Sequence, residues 1–200
     1  MVKIDIKEFL KKRPLSWSAY SSFHYNPEQW FQNYVIGNKE PPSPEMIFGS
    51  KVGKRLETDP TFLPMIPRHK KMEHPFNVVF SGIPLVGYAD SFCTVTDRKL
   101  GEFKTGKKAW DQKRVDEHGQ LTMYCLMHYI TTKVPPEEVE ITLAWMPTME
   151  NGSFEICFVE PIEQNIKLFK TKRTTKQVLE FGVSIKNTVL LMQQYCDNHL

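Results

Sequence analysis

The sequence predicts an α/β (α+β) fold, a central mixed twisted sheet flanked by helices, with a helical N-terminus and a long C-terminal helix. Three observations predict it. Helical punctuation governs the chain up to Glu57, short runs of β-branched and aromatic residues begin at Pro75, and a helical pattern returns after Ile162.

Taken in order, Leu15 to Tyr20 opens a helix that Ser16 or Ser18 can cap. Trp17, Tyr20, Phe23 and Trp30, at near-helical spacing, read as core. Asn26-Pro27 marks a break with a second helix starting at Pro27, and the prolines between Gly37 and Pro44 mark a loop before a helix over Glu45 to Glu57. Asn77 to Phe80, Leu85 to Tyr88, Ser91 to Val95 and Leu100 to Lys104 are expected as strands of an antiparallel meander. Asp111 to Thr132 is expected as one helix. Glu138 to Trp145 and Ser153 to Val159 form a strand pair turned at Glu150-Asn151-Gly152, and Ile162 to His199 reads as mostly helix with a break near Thr174-Thr175.

Composition narrows the function classes. A net charge of +3 excludes a histone-like cationic coat, so contact with nucleic acid has to come from local clusters such as Lys104 to Arg114. Cys93, Cys125, Cys157 and Cys196 form no C-x-x-C pair, which is poor spacing for zinc and for a disulfide framework, and they are expected as reduced thiols. Met1 to Arg13 has no apolar signal region and no run of about 18 apolar residues occurs, so a cytoplasmic protein without a membrane partner is expected.

The residues that carry chemistry lie between Gly87 and Tyr124. Glu102 and Lys104 stand two apart on an expected strand, so they leave one face and can address one phosphate. An E-x-K pair alone is usually a solvent-facing charge pair; Asp90 before it, and Gln120 and Tyr124 one helical turn apart after it, change its meaning. Carboxylate oxygens suit Mg²⁺ or Mn²⁺, and a nearby ammonium can orient a water or stabilise developing charge. A three-residue loop at Thr96-Asp97-Arg98 pairs Val95 with Lys99, sets Asp90 opposite Lys104 and makes it diagonal to Glu102; an even-length loop would send Asp90 to the other face.

Gly87-x-x-Asp90, Glu102-x-Lys104 and Gln120-x-x-x-Tyr124, in this order, together with Leu15-Ser16-Trp17-Ser18 followed by aromatics, resemble the PD-(D/E)xK nuclease superfamily, in particular its RecB-like exonuclease branch. The similarity spans Leu15 to Tyr129. It implies a single nuclease domain over 1–200, with a helical segment at 1–44, a catalytic core at 45–160 and a C-terminal helix at 161–200. It also implies Asp90, Glu102 and the Phe103 carbonyl as metal ligands, Lys104 as the catalytic lysine, and Gln120 and Tyr124 as contacts near the scissile phosphate. The family's metal-binding histidine falls at Gly53. Glu57, on the same helical face as Gly49 and Gly53, is a candidate replacement, with the glycines letting the helix approach the sheet.

The implied cofactor is Mg²⁺ or Mn²⁺, with no iron–sulfur cluster because the close-spaced cysteine group is missing. The implied partners are single- or double-stranded DNA and a recombination or repair protein, with Lys107, Lys108, Lys113 and Arg114 contacting phosphates. The nucleoid, or a host cytoplasm for a phage protein, would also suit it. Three readings stay open: a deoxyribonuclease with exonuclease action favoured, a catalytically silent DNA-binding or assembly module on the same fold, and a structure-specific or RNA-directed endonuclease.

Overall fold

The computed structural model describes residues 4–92 and 98–199. Within them the expected mixed sheet flanked by helices forms. Helix α1 (Ile6–Lys12) is capped by Asp5 and α2 (Trp17–Tyr25) by Ser16, whose hydroxyl accepts from the Ala19 N–H. Asn26 caps α3 (Pro27–Trp30), which runs into a π-helical turn at Phe31–Ile36 closed by Gly37 at φ +93°. Ser43 caps α4 (Pro44–Thr58), with Pro44 at the first helical position.

The meander has three long strands where four short ones are expected: β1 (Lys71–Phe80), β2 (Ile83–Phe92) and β3 (Lys99–Gly106). Phe80 pairs with Ile83 across Ser81-Gly82, both at positive φ, the two-residue hairpin turn whose twist suits the strands. Ala89-Asp90 interrupts the β-propensity pattern without ending β2, because pairing with β1 carries the strand through.

The helix expected over Asp111 to Thr132 is broken into α5 (Gln112–Asp116) and α6 (Gly119–Thr132). Buried Arg173 holds the corner, donating to the carbonyls of Val115 and His118 and to the Thr122 hydroxyl. The chain then crosses over to β4 (Glu140–Glu150), parallel to β3, and turns into β5 (Ile156–Phe158). After α7 (Ile162–Asn165) comes β6 (Lys167–Thr171), antiparallel to β4, and then α8 (Thr175–His199). This strand corrects the helical expectation from Ile162: Leu143 pairs with Phe169, so a sheet neighbour overrides an ambiguous five-residue pattern.

Two cores sandwich the sheet. The larger packs Leu85, Leu100, Ile141 and Leu143 against α6, α8, α1 and α2. The smaller joins Val52 and Leu56 of α4 to Ala144 and Met146 on the other face. Cover on both sides explains the unbroken burial of Ile141 to Met146. No helix among the described residues is long and apolar enough to cross a membrane.

Candidate active site

Among the described residues the β2–β3 ladder pairs Phe92 with Leu100 and Ser91 with Gly101. Extended by one residue, this register brings Asp90 level with Glu102, a shift of two from the expected alignment with Lys104. Thr96 and Asp97 of the expected loop lie outside the described residues. Past Ser91 the ladder stops, and the Phe103 N–H donates to Asp90 Oδ2 at 2.5 Å. A side chain thus satisfies a backbone donor where a strand would have done so. Opposed residues share a face, so Asp90 joins Glu102 as the expected alternation requires, and the contact to the Phe103 N–H fixes its carboxylate there.

On its other side the β1–β2 register, Met72 with Ser91 and His74 with Ala89, brings Glu73 level with Asp90. An acid therefore stands at one level on each of three neighbouring strands. Glu73 escapes the sequence reading because the pattern starts that strand at Asn77; its signal is only an acid in the alternating stretch Lys71-Met72-Glu73-His74.

Glu102 is buried, with 2% of its surface exposed. Its Oε1 pairs with Lys104 Nζ at 2.5 Å, while its Oε2 is buried with no hydrogen-bond partner. Burial raises its pKa, and Lys104 opposes the rise. Burial, with Glu102 beside it, pushes the Asp90 carboxyl up to about 8. Burial pulls the Lys104 ammonium down, but Glu102 and Asp90 outweigh it and the net direction is upward, so the lysine stays charged.

A chain of contacts fixes that lysine. Nζ donates to Gln120 Oε1 at 2.8 Å, Gln120 Nε2 donates to the Tyr124 hydroxyl at 2.8 Å, and Tyr124 donates to the Tyr88 carbonyl at 2.7 Å. Burial first, then Glu102, raises the Tyr124 pKa, keeping the phenol a donor. Gly87 makes the chain possible: a Cβ there would stand 2.6 Å from Met127 Cε and 2.8 Å from the Tyr124 ring. His118 is half-buried between Trp17 and Trp110, and burial pushes its pKa down to about 4.

Helix α4 covers a cleft of about 480 Å³ lined by Glu45, Gly49, Gly53, Glu73, Asp90 and Lys104, among others. A Cβ on Gly49 would lie 3.0 Å from Thr105 Oγ1, so this glycine does bring helix and sheet together. Gly53 does not: nothing lies within 4 Å of a Cβ there. Glu57 pairs with Lys54 at 2.7 Å and does not line the cleft; Glu102 lies buried beneath the lining, behind Lys104.

Among the described residues no three His, Cys, Asp or Glu side chains stand close enough to enclose an ion by themselves. The donor set still fits a hard divalent cation that keeps several waters, since such an ion needs only one or two carboxylates. The partnerless Glu102 Oε2 is the buried oxygen that an ion would satisfy.

The basic residues divide. Lys107 is ion-paired with Glu150, and Arg114 lies 3.8 Å from the Trp110 ring centroid while donating to the Ala109 carbonyl. Lys108 and Lys113 are exposed.

The fold has solved counterparts. A protein from Eubacterium rectale described provisionally as an exonuclease matches with a TM-score of 0.60 and 12% identity over 97% of this chain and 85% of its own. The crystal structure of SSO0001 matches with a TM-score of 0.51 and 12% identity over 93% of this chain and 83% of its own. Identity this low establishes the likeness of fold alone. No protein-family model matches the chain, and no curated protein matches it.

Proposed function

We propose that the chain is a metal-dependent deoxyribonuclease of the RecB-like PD-(D/E)xK type, with exonuclease action favoured. One observation carries the reading: Glu102, buried and level with Asp90, gives one oxygen to Lys104 and leaves the other without a partner. A buried carboxylate costs stability unless its oxygens are satisfied, and a cation beside two acids supplies that satisfaction.

Asp90, Glu102 and the Phe103 carbonyl would hold Mg²⁺ or Mn²⁺, with Glu73 reaching the ion through a water, and the ion would supply Lewis acidity toward a phosphate oxygen and acidify a water. Lys104, held charged by Glu102, donates toward the attacking water or the developing oxyanion. Gln120, oriented by Tyr124, fixes the lysine's position. Lys108 and Lys113 offer charge to flanking phosphates. Recombination, repair or phage DNA processing, alongside a recombination or repair partner, would suit such an enzyme.

A silent DNA-binding module is the second reading, favoured by the open space at Gly53. Purified protein with end-labelled linear and closed circular DNA, single- and double-stranded, across Mg²⁺, Mn²⁺ and chelator, separates the two. Release of nucleotides from linear DNA with metal, stopped by chelator, supports the exonuclease; binding without cleavage in any metal supports the module.

A further inference from the structure

The outer face of α2 ends beside the catalytic lysine. Ser18, Ser21, Ser22 and Tyr25 recur at spacings of three and four, so they form one stripe along the helix. With Lys104 and Gln120 they line an open groove of about 580 Å³. Neither α2 nor the groove carries an acidic side chain, and Lys104 is the groove's cation. Exposed helix faces are ordinarily charged; this one offers hydroxyls and one phenol.

The stripe is rigidly placed. A Cβ at Gly119 would stand 2.6 Å from the Trp17 ring, so α2 is packed hard against the turn that carries Gln120. On the inner face the Tyr20 hydroxyl meets Ser184 at 2.5 Å, and His24 Nε2 meets Thr188 at 2.8 Å. Tyr25 takes no part in this packing. Its surface is 89% exposed, and no aromatic or cation–π contact to it occurs among the described residues. An exposed tyrosine the fold does not use, at the far end of a groove that begins at the catalytic lysine, calls for a ligand.

We propose that this groove guides single-stranded DNA, the hydroxyls of Ser18 and Ser22 donating to its phosphates, joined by Ser21 as its hydroxyl turns from the Ser18 carbonyl, and Tyr25 stacking on an unpaired base. The stripe spans roughly 10 Å along the helix axis, room for about two nucleotides beyond the cut. A duplex keeps its base faces stacked inside, so Tyr25 has a partner only when the strand is unpaired. The inference rests on the nuclease reading for the substrate's identity and adds the form of substrate the same site takes.

The test is fluorescence anisotropy in chelator, where no cleavage occurs, with a labelled oligothymidylate and a blunt duplex, run beside a metal-dependent cleavage assay. Tyr25→Ala should weaken oligothymidylate binding roughly tenfold while leaving duplex binding and melting temperature unchanged, and Tyr25→Phe should match the parent. The triple Ser→Ala variant at 18, 21 and 22 should also weaken binding. In cleavage of single strands, Tyr25→Ala should raise KM and spare kcat. If Tyr25→Ala binds oligothymidylate within twofold of the parent, the groove proposal is overturned, and any cleavage by the parent still upholds the nuclease reading. If the parent cuts nothing but binds single strands in a Tyr25-dependent way, the groove stands and the nuclease reading falls. A parent that binds no nucleic acid overturns both.

Discussion

Glu73 stands level with Asp90 at the one position the β1–β2 ladder skips, with its backbone at φ +48°. A non-glycine residue in this left-handed region costs about 1 kcal/mol and persists where the surroundings impose it. Here the twist sits beside the cleft that Glu73 and Asp90 both line. Burial, then Glu57 and Glu102, raises the pKa of Glu73, which locates it within one field of carboxylates.

Glu73 rather than Glu57 is therefore expected to assist the metal. Glu73→Gln should raise the metal concentration for half-maximal activity several-fold, whereas Glu57→Gln, losing its pair with Lys54 and its repulsion of Glu73, should leave it close to the parent. Metal titrations of cleavage by the two variants check this; the reverse order would return the role to Glu57.

Asp90→Asn should abolish cleavage and stabilise the metal-free protein. Asp90 is held near Glu102 and Glu73 in a site that penalises charge, and asparagine keeps an oxygen for the Phe103 N–H. Thermal melts in chelator at pH 8 should show a rise of a few degrees. A lower melting temperature would show that the carboxylate is a structural group.

Among the basic residues, Lys108→Ala and Lys113→Ala should each lower the slope of log affinity against log salt by about one if each meets a phosphate. Lys107→Ala should change it less, because Glu150 already neutralises that ammonium. Binding isotherms across a salt series decide, and unchanged slopes for Lys108 and Lys113 would leave them as solvated surface.

Acid should destabilise the fold through its buried imidazoles. Burial pushes His128 down to about 4, with His74 adding to the effect, and His118 also to about 4. Unfolded histidine titrates near ~6.5, so between about 6.5 and 4 the unfolded chain binds protons that the folded one refuses. Stability is full above that window and is lost as pH falls through it. Melting temperature should drop by several degrees from pH 7 to pH 5, and His128→Gln should flatten the drop. An identical slope in the variant would remove His128 from the explanation.

The residues of the candidate site were more legible in the sequence than their arrangement. Glu102 and Lys104 could be paired by eye because strand alternation is local, and Gln120 and Tyr124 because a helical turn is. The face of Asp90 followed from the parity of the loop, but its exact level and its bond to the Phe103 N–H did not, since that bond is an event between two strands that neither strand's pattern encodes. The break between α5 and α6 is held by Arg173, far along the chain, and its one local sign is Gly119, a lone glycine that a helix can also tolerate. Strand β6 reads as part of a helix until β4 lies beside it. Gly53 was visible as a glycine, but only the structure shows that open space, not a packed neighbour, lies above it.

The most direct measurement is the rate at which parent, Glu102→Gln and Lys104→Ala shorten an end-labelled DNA strand at saturating Mn²⁺, with folding of each variant verified by its melting curve. The proposed site predicts measurable cleavage by the parent, stopped by chelator, and a loss of at least about 100-fold in both variants, because each removes a group facing the reacting phosphate. A folded Lys104→Ala or Glu102→Gln protein that cuts as fast as the parent would contradict it.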